Sequence, residues 1–133
     1  MHTCAALSSG AGKAGVAVIR LSGDDAVKIA SAVFRPKNGK TLEDCPARFA
    51  VFGTAFAADG KKIDTGLATV FRQPHSYTGE NTVEISCHGS PVGTSLILGA
   101  LFAAGAKPAL PGEFTKRAFI NGKLDLTQAE AVG

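Results

Sequence analysis

Residues 82–87 have the sequence TVEISC, in which polar and apolar side chains alternate. In an extended chain this alternation places Val83, Ile85 and Cys87 on one face and Glu84 on the other. The pattern predicts a β-strand that packs one face against a core and keeps the second face polar.

Further strand patterns flank this segment on both sides. Residues 15–22, GVAVIRLS, are rich in Val and Ile and predict a buried strand, and residues 3–8 predict a shorter one. Two more strands are expected at 49–57 and 62–71, because Asp59-Gly60 between them is typical of a hairpin turn.

Helix signals lie between these strands. Ser22 and Asp25 have the spacing of a capping box, which predicts a helix that continues to about residue 34. Ser90-Pro91 predicts the start of a second helix that ends at Gly105, and a third helix is expected over 113–120. We therefore predict an α+β fold, a mixed β-sheet with packed helices.

The composition is that of one globular domain. The chain has 133 residues, a net charge of +3, 45% apolar residues and 19% charged residues. Basic residues are scattered, so the sequence does not predict strong binding of RNA by this chain alone. We expect no signal peptide and no membrane span, because the longest apolar stretch, residues 96–104, is too short.

The three cysteines, Cys4, Cys45 and Cys87, are widely spaced and form no CxxC motif. They predict reduced thiols in a cytosolic protein, with neither a disulfide framework nor a zinc site. His75 and His88 lack a third ligand at metal spacing, so no metal site is expected.

Arg20 is the one charged residue in the 15–22 strand, whose two faces are otherwise apolar. A charge in this position is costly unless it is paired. In a structural interpretation the side chain reaches solvent at the end of the sheet or joins a buried ion pair. In a functional interpretation the guanidinium binds an anionic or polar planar ligand. The sequence leaves both open.

Glu84 and Lys123 present similar alternatives. Glu84 is either a solvent-facing residue of an amphipathic strand or a carboxylate that accepts two N–H groups from a heterocycle. Lys123 follows the Asn121-Gly122 turn, and it either faces solvent or meets a ligand carboxylate.

Other charged and reactive groups predict no chemistry. Cys87 and His88 are adjacent in a strand, so their side chains point to opposite faces and cannot pair as nucleophile and base. Glu113, Lys116 and Arg117 are expected on an ordinary solvated helix face. The chain contains no Walker phosphate loop, because the glycines and lysine of Gly10-Ala11-Gly12-Lys13-Ala14 lack the required spacing. We therefore predict no catalytic residue and no GTPase chemistry within it.

Three segments carry a resemblance to a known family. They are GVAVIRLSG (15–23), PHSYTGENTVEISCHGSP (74–91) and PGEFTKRAFINGKLDLTQAEAV (111–132). These segments resemble the signatures of the MnmE (TrmE) family of tRNA-modifying GTPases. The resemblance covers nearly the whole chain and is weakest from residue 35 to residue 62.

The resemblance implies a division into domains. Residues 1–122 would form a tetrahydrofolate-binding and dimerisation domain, similar in fold to the folate-binding aminomethyltransferases. Residues 123–133 would start a helical domain that carries an inserted GTPase domain. A helix start at residues 125–128, without a helix body after it, also predicts a longer parent protein.

The resemblance also implies a function. A 5-formyl- or methylene-tetrahydrofolate would supply a one-carbon unit for modification of C5 of the wobble uridine in tRNA. The expected partners are a second copy of the chain, the flavoprotein MnmG (GidA) and tRNA, in the cytoplasm. GTP, K⁺ and Mg²⁺ would act only in the GTPase domain.

The folate contacts of the family fall on three positions of this chain. They are the arginine of the VIR strand, Arg20; the glutamate of the strand after the TGE turn, Glu84; and the lysine of NGKLDL, Lys123. The chain departs from the family pattern in its first loop, SGAGKAG (9–15), and at Ser90, where a glycine is usual. Neither departure touches the three folate positions.

Two alternatives belong to other classes. The chain could be a structural dimerisation module without folate binding, or a fragment of a folate-dependent aminomethyltransferase. The run FTKRAFINGKLDLTQAEA (114–131) argues against the second alternative.

Overall fold

A seven-stranded sheet organises the chain in a computed structural model that describes residues 2–9 and 15–124. The strands are β1 (Cys4–Leu7), β2 (Val16–Ser22), β3 (Phe34–Pro36), β4 (Val51–Phe56), β5 (Lys62–Phe71), β6 (Thr82–His88) and β7 (Lys107–Pro108). Their order across the sheet is β3-β4-β5-β6-β2-β1-β7. Neighbouring strands are antiparallel except β1 and β7, which are parallel. The prediction of a mixed sheet in an α+β fold is confirmed.

The helices are α1 (Ala26–Val33), α2 (Pro91–Ala103) and α3 (Glu113–Ile120), with a short 3₁₀ turn at Leu42–Asp44. α1 and α2 share one core with the sheet, and Ile19 and Ile85 in that core are fully buried. Because side chains alternate along a strand, the neighbours of these residues, Arg20 and Glu84, lie on the opposite face. That face is only partly covered, and it positions the candidate site.

The second helix forms as the sequence predicts. The hydroxyl of Ser90 accepts a hydrogen bond from the backbone N–H of Gly93, and Pro91 occupies the first helical position. The helix ends at Ala103, and Gly105 follows with a φ of 121°, a conformation that favours glycine.

The predicted capping box is wrong. Ser22 is the last residue of β2, and α1 begins at Ala26 without a side-chain cap from Asp25. The Ser22 hydroxyl is buried and is engaged elsewhere. The backbone N–H of Asp25 instead donates to the hydroxyl of Thr3, 2.9 Å away. A long-range contact therefore replaces the local one.

The predicted strand boundaries differ at short elements. β5 has the expected bounds, whereas β4 is shorter than the predicted 49–57 strand. Residues 35–48 are polar and contain two prolines, which predicts a loop, but β3 includes Arg35 and Pro36. No sequence pattern predicts β7. The helix start predicted at 125–128 lies outside the described residues.

Candidate functional site

Arg20 and Glu84 form an ion pair across neighbouring strands. The two residues are directly opposite in the β2–β6 register. Nε and Nη2 of Arg20 each lie 2.9 Å from Oε2 of Glu84. The side chains are 19% and 28% exposed, so the pair is partly buried but open to solvent. An ion pair is one of the alternatives that the sequence leaves open for Arg20, and its partner here is the other candidate residue, Glu84.

The pair leaves one carboxylate oxygen available. Both contacts from Arg20 go to Oε2, and Oε1 of Glu84 accepts no hydrogen bond from the described residues. An ionised carboxylate has several lone pairs for N–H donors. Arg20 thus fixes the orientation of the carboxylate while Glu84 keeps acceptor capacity for a ligand.

Two aromatic rings stack on Arg20. The guanidinium carbon lies 4.8 Å from the ring centre of Tyr77 and 5.3 Å from that of Phe114. Tyr77 and Thr115 join their hydroxyls at 3.1 Å. The negative faces of both rings attract the guanidinium and hold it in place. Tyr77 and Phe114 are not predictable as site residues from the sequence, because their spacing to Arg20 has no sequence signature.

Lys123 lies beside the turn formed by residues 76–80, which carries Tyr77. Its ammonium donates to the carbonyl of Pro74 at 3.2 Å, and the side chain is exposed. Asn121 donates its side-chain amide to the carbonyl of Thr78 at 2.8 Å. The structure thus brings Arg20 and Glu84 into contact, whereas Lys123 makes no hydrogen bond or ion pair with either of them.

Arg117 contradicts the prediction of a solvated helix face. The side chain is 1% exposed, and its guanidinium makes five hydrogen bonds. The pKa of Arg117 is raised: burial alone would lower it, but the contacts with Glu80 and Glu113 outweigh burial. The i,i+4 spacing of Glu113 and Arg117 was the available sequence signal, because it places both residues on one helix face.

A buried polar network continues from this arginine. Ser22 donates its hydroxyl to Oε1 of Glu80 at 2.7 Å and lies 2.7 Å from the hydroxyl of Thr78. The backbone N–H of Glu80 donates to the same threonine oxygen. Every buried side-chain polar atom among the described residues has a partner. The turn that carries Tyr77 is therefore held by hydrogen bonds on its inner side.

The thiols and histidines form no reactive pair. Cys87 is buried, and burial raises its pKa. His88 is exposed, and its Nδ1 lies 2.8 Å from Oδ1 of Asp64. Burial raises the pKa of Asp64, but hydrogen bonds from His88 outweigh that effect and lower it. Within residues 2–9 and 15–124, no three His, Cys, Asp or Glu side chains are grouped to hold a metal ion.

An apolar hollow of about 350 Å³ lies on the same sheet face, toward the other end of β2 and β6. Three of its lining side chains are large and exposed: Val16 (56%), Phe52 (49%) and Leu67 (43%). Exposed apolar groups gathered in this way are typical of a surface that another protein covers. None of the described helices is long and apolar enough to cross a membrane.

Comparison with known proteins places the chain in a family. Residues 3–123 match the family model described as GTP-binding protein TrmE N-terminus. The chain belongs to this family of TrmE N-terminal domains.

Similar proteins include three named tRNA modification GTPase MnmE. The relative from Parabacteroides distasonis is 50% identical over 99% of this chain, that from Lactobacillus acidophilus 48% over 98%, and that from Symbiobacterium thermophilum 47% over 98%. The chain spans only 28–29% of the length of these relatives.

Proposed function

We propose that this chain is a tetrahydrofolate-binding and dimerisation module of a tRNA-modifying GTPase. The observation that carries the proposal is the Arg20–Glu84 pair, which is open to solvent, backed by two aromatic rings and placed at the positions that the family resemblance implies for folate. Similarity to proteins named tRNA modification GTPase MnmE supports the setting.

The chemistry of the pair fits a reduced pterin. The pyrimidine ring of a reduced pterin is planar, and its edge carries adjacent N–H donors that match a carboxylate. Glu84 would accept one of these donors at Oε1 and the other at the second lone pair of Oε2, while Arg20 holds the carboxylate in place through Oε2. Tyr77 and Phe114 would border the ring plane, because both already stack on the planar guanidinium.

Lys123 fits the anionic end of the same ligand. A folate carries a glutamate tail, and an exposed ammonium that is held loosely by one carbonyl can turn toward a carboxylate. The residues of this chain would therefore bind and orient the ligand. Tetrahydrofolate, when bound, supplies the one-carbon unit.

The proposed role in the parent protein follows from the resemblance. The one-carbon unit would modify C5 of the wobble uridine of tRNA, together with the flavoprotein MnmG and an amine such as glycine. GTP hydrolysis with K⁺ and Mg²⁺ would belong to another domain of the parent, in the cytoplasm. The resemblance to the aminomethyltransferase fold belongs to the same proposal.

We also propose that the apolar hollow is the surface on which two copies meet. Val16, Phe52 and Leu67 share their sheet face with Arg20 and Glu84, so a second copy seated there would lie beside the ligand site. Burial of these side chains from water favours association.

Tyr77 offers a direct test of the folate proposal, because it is the only tyrosine in the chain. With tyrosine labelled by ¹³C in the ring, the NMR spectrum contains the ring signals of this residue alone. We expect 5-formyltetrahydrofolate to shift them saturably. p-Aminobenzoylglutamate, which lacks the pterin, serves as the control and should bind far more weakly. Unchanged ring signals and no heat of binding at millimolar folate would refute the proposal.

A further inference from the structure

Arg117 uses its whole guanidinium to join separate parts of the chain. Nε and Nη2 contact Oε2 of Glu113 at 3.0 and 2.6 Å, and Nη2 also reaches the carbonyl of His2 at 2.9 Å. Nη1 donates to the carbonyl of Ser22 and to Oε1 of Glu80, both at 3.1 Å. A guanidinium has five N–H donors, so every one is engaged.

One arm of this contact set reaches the turn that carries Tyr77. Glu80 closes the turn, and its backbone carbonyl accepts a hydrogen bond from the hydroxyl of Ser76. Because Glu80 is held by both Arg117 and Ser22, the turn is fixed against the end of β2. Tyr77 projects from this fixed turn onto Arg20.

A second group of contacts joins Arg117 to Glu113, the first residue of α3. Glu113 accepts from Arg117 through Oε2 and from the backbone N–H of Leu110 through Oε1, at 2.8 Å. Phe114 and Thr115, the next two residues, contact Arg20 and the hydroxyl of Tyr77. The two walls that flank Arg20 therefore belong to different elements, and one buried guanidinium connects them.

We infer that Arg117 is a positioning residue of the candidate site: it holds the 76–80 turn against α3 and so sets the positions of Tyr77 and Phe114 over Arg20. It touches neither Arg20 nor Glu84, and it acts through Glu80 and Glu113. Its consequence for ligand binding rests on the proposed function. Its effect on Tyr77 does not, because the ligand-free chain already shows the contacts.

A lysine at this position would not serve the same purpose. Its ammonium is a compact point charge with three donors, whereas the planar fork of arginine reaches four acceptor groups at once. Arg117→Lys keeps the positive charge beside Glu80 and Glu113 but loses some of the five hydrogen bonds that connect the turn to α3. The variant thus separates the geometry of the contact from its charge.

The test records the ¹³C ring signals of Tyr77 in ligand-free chains, with folding checked by circular dichroism. We expect Arg117→Lys to shift these signals and to weaken binding of 5-formyltetrahydrofolate by about tenfold. Ile97→Val, which trims a buried side chain in α2, is the control for a general loss of stability. It should leave the Tyr77 signals in place.

A folded Arg117→Lys chain with unshifted Tyr77 signals would overturn the inference, as would an equal shift in Ile97→Val. If Arg117→Lys does not fold, Glu80→Ala is compared with Ser22→Ala by the same readout. Both variants remove the hydrogen bond between Ser22 and Glu80, but only Glu80→Ala also removes the contact of Arg117 with the turn. A larger shift in Glu80→Ala supports the inference, and equal shifts or no shift overturn it. Failure of the unaltered chain to bind folate would count against the proposed function, while the ligand-free signals still decide the role of Arg117.

Discussion

Arg20 contacts Glu84 through a single carboxylate oxygen, with both Nε and Nη2 at 2.9 Å from Oε2. A fork-to-fork pair would engage both oxygens of the carboxylate. The observed geometry instead leaves Oε1 for another donor. The pair is therefore a receptor for N–H groups as well as a cross-strand link, and this dual character is the basis of the first prediction.

Removal of Glu84 should weaken folate binding more than it weakens the fold. We expect Glu84→Ala to cost about 1–3 kcal/mol of binding free energy, the usual cost of losing a charged hydrogen-bond partner. Isothermal titration of the folded variant with 5-formyltetrahydrofolate measures it. Asp64→Asn, which alters a carboxylate in the adjoining strand at its pair with His88, is the matched control. Equal affinity in Glu84→Ala and the unaltered chain would exclude this residue from the site.

Gly79 should be less tolerant of a side chain than Gly60, although both have a left-handed φ, 82° and 87°. A Cβ at Gly79 would lie 2.9 Å from Cβ of Asn121, whereas one at Gly60 would meet nothing within 4 Å. Gly60→Ala should cost about 1–2 kcal/mol of unfolding free energy for the backbone conformation alone. Gly79→Ala should cost more, because the 121–123 turn must also shift. Chemical denaturation compares the two, and equal losses would show that the packing between the turns is loose.

Glu113 should make stability depend on pH in the acid range. Burial raises its pKa, but the hydrogen bond from the N–H of Leu110 and the contact with Arg117 outweigh burial and lower it. A carboxyl whose pKa is lower in the folded state stabilises the fold above its unfolded pKa, about 4.3. That stabilisation is lost as the pH falls from there through the folded pKa.

Chemical denaturation at pH values from about 6 to about 2 measures this effect. This range extends below the unfolded pKa because the pKa of Glu113 is lowered in the folded chain. Glu113→Gln should be less stable than the unaltered chain near neutral pH, and the difference should shrink toward low pH. A difference that stays constant across the range would mean that ionisation of Glu113 does not contribute.

The apolar hollow should mediate self-association. We expect the unaltered chain to sediment as a homodimer and Leu67→Glu to sediment as a monomer, because a charge would enter the buried contact. Leu96→Glu places the same charge on the exposed side of α2 and should leave the dimer intact. A mass of one chain for the unaltered protein across micromolar concentrations would contradict the dimer, and an unchanged mass for Leu67→Glu would place the interface elsewhere.

Local sequence patterns predicted those helices and strands whose positions depend mainly on their own residues. The alternation in 82–87 gave β6, and Ser90 with Pro91 gave the start of α2. The short strands β3 and β7 have no such pattern, because two or three residues pair only where a neighbouring strand is already in place.

The candidate site was only partly predictable for the same reason. Arg20 and Glu84 stood out as charges within strands, and their register across β2 and β6 supplied the pairing. Arg117 looked like part of a solvated face because its partners, such as Ser22 and Glu80, are far away in sequence. Long-range burial overrode the local pattern at this arginine, as it did at the misassigned capping box of Ser22.

Calorimetric titration of the chain with 5-formyltetrahydrofolate, beside Arg20→Ala, tests the central claim most directly. Arg35→Ala is the control, since Arg35 also stacks on an aromatic ring, Phe56 at 4.6 Å, but lies at the edge strand β3. The account predicts saturable binding by the unaltered chain and by Arg35→Ala, weakened by about 1–3 kcal/mol in Arg20→Ala. No binding by the folded chain, or equal binding by all three, would contradict a folate site at the Arg20–Glu84 pair.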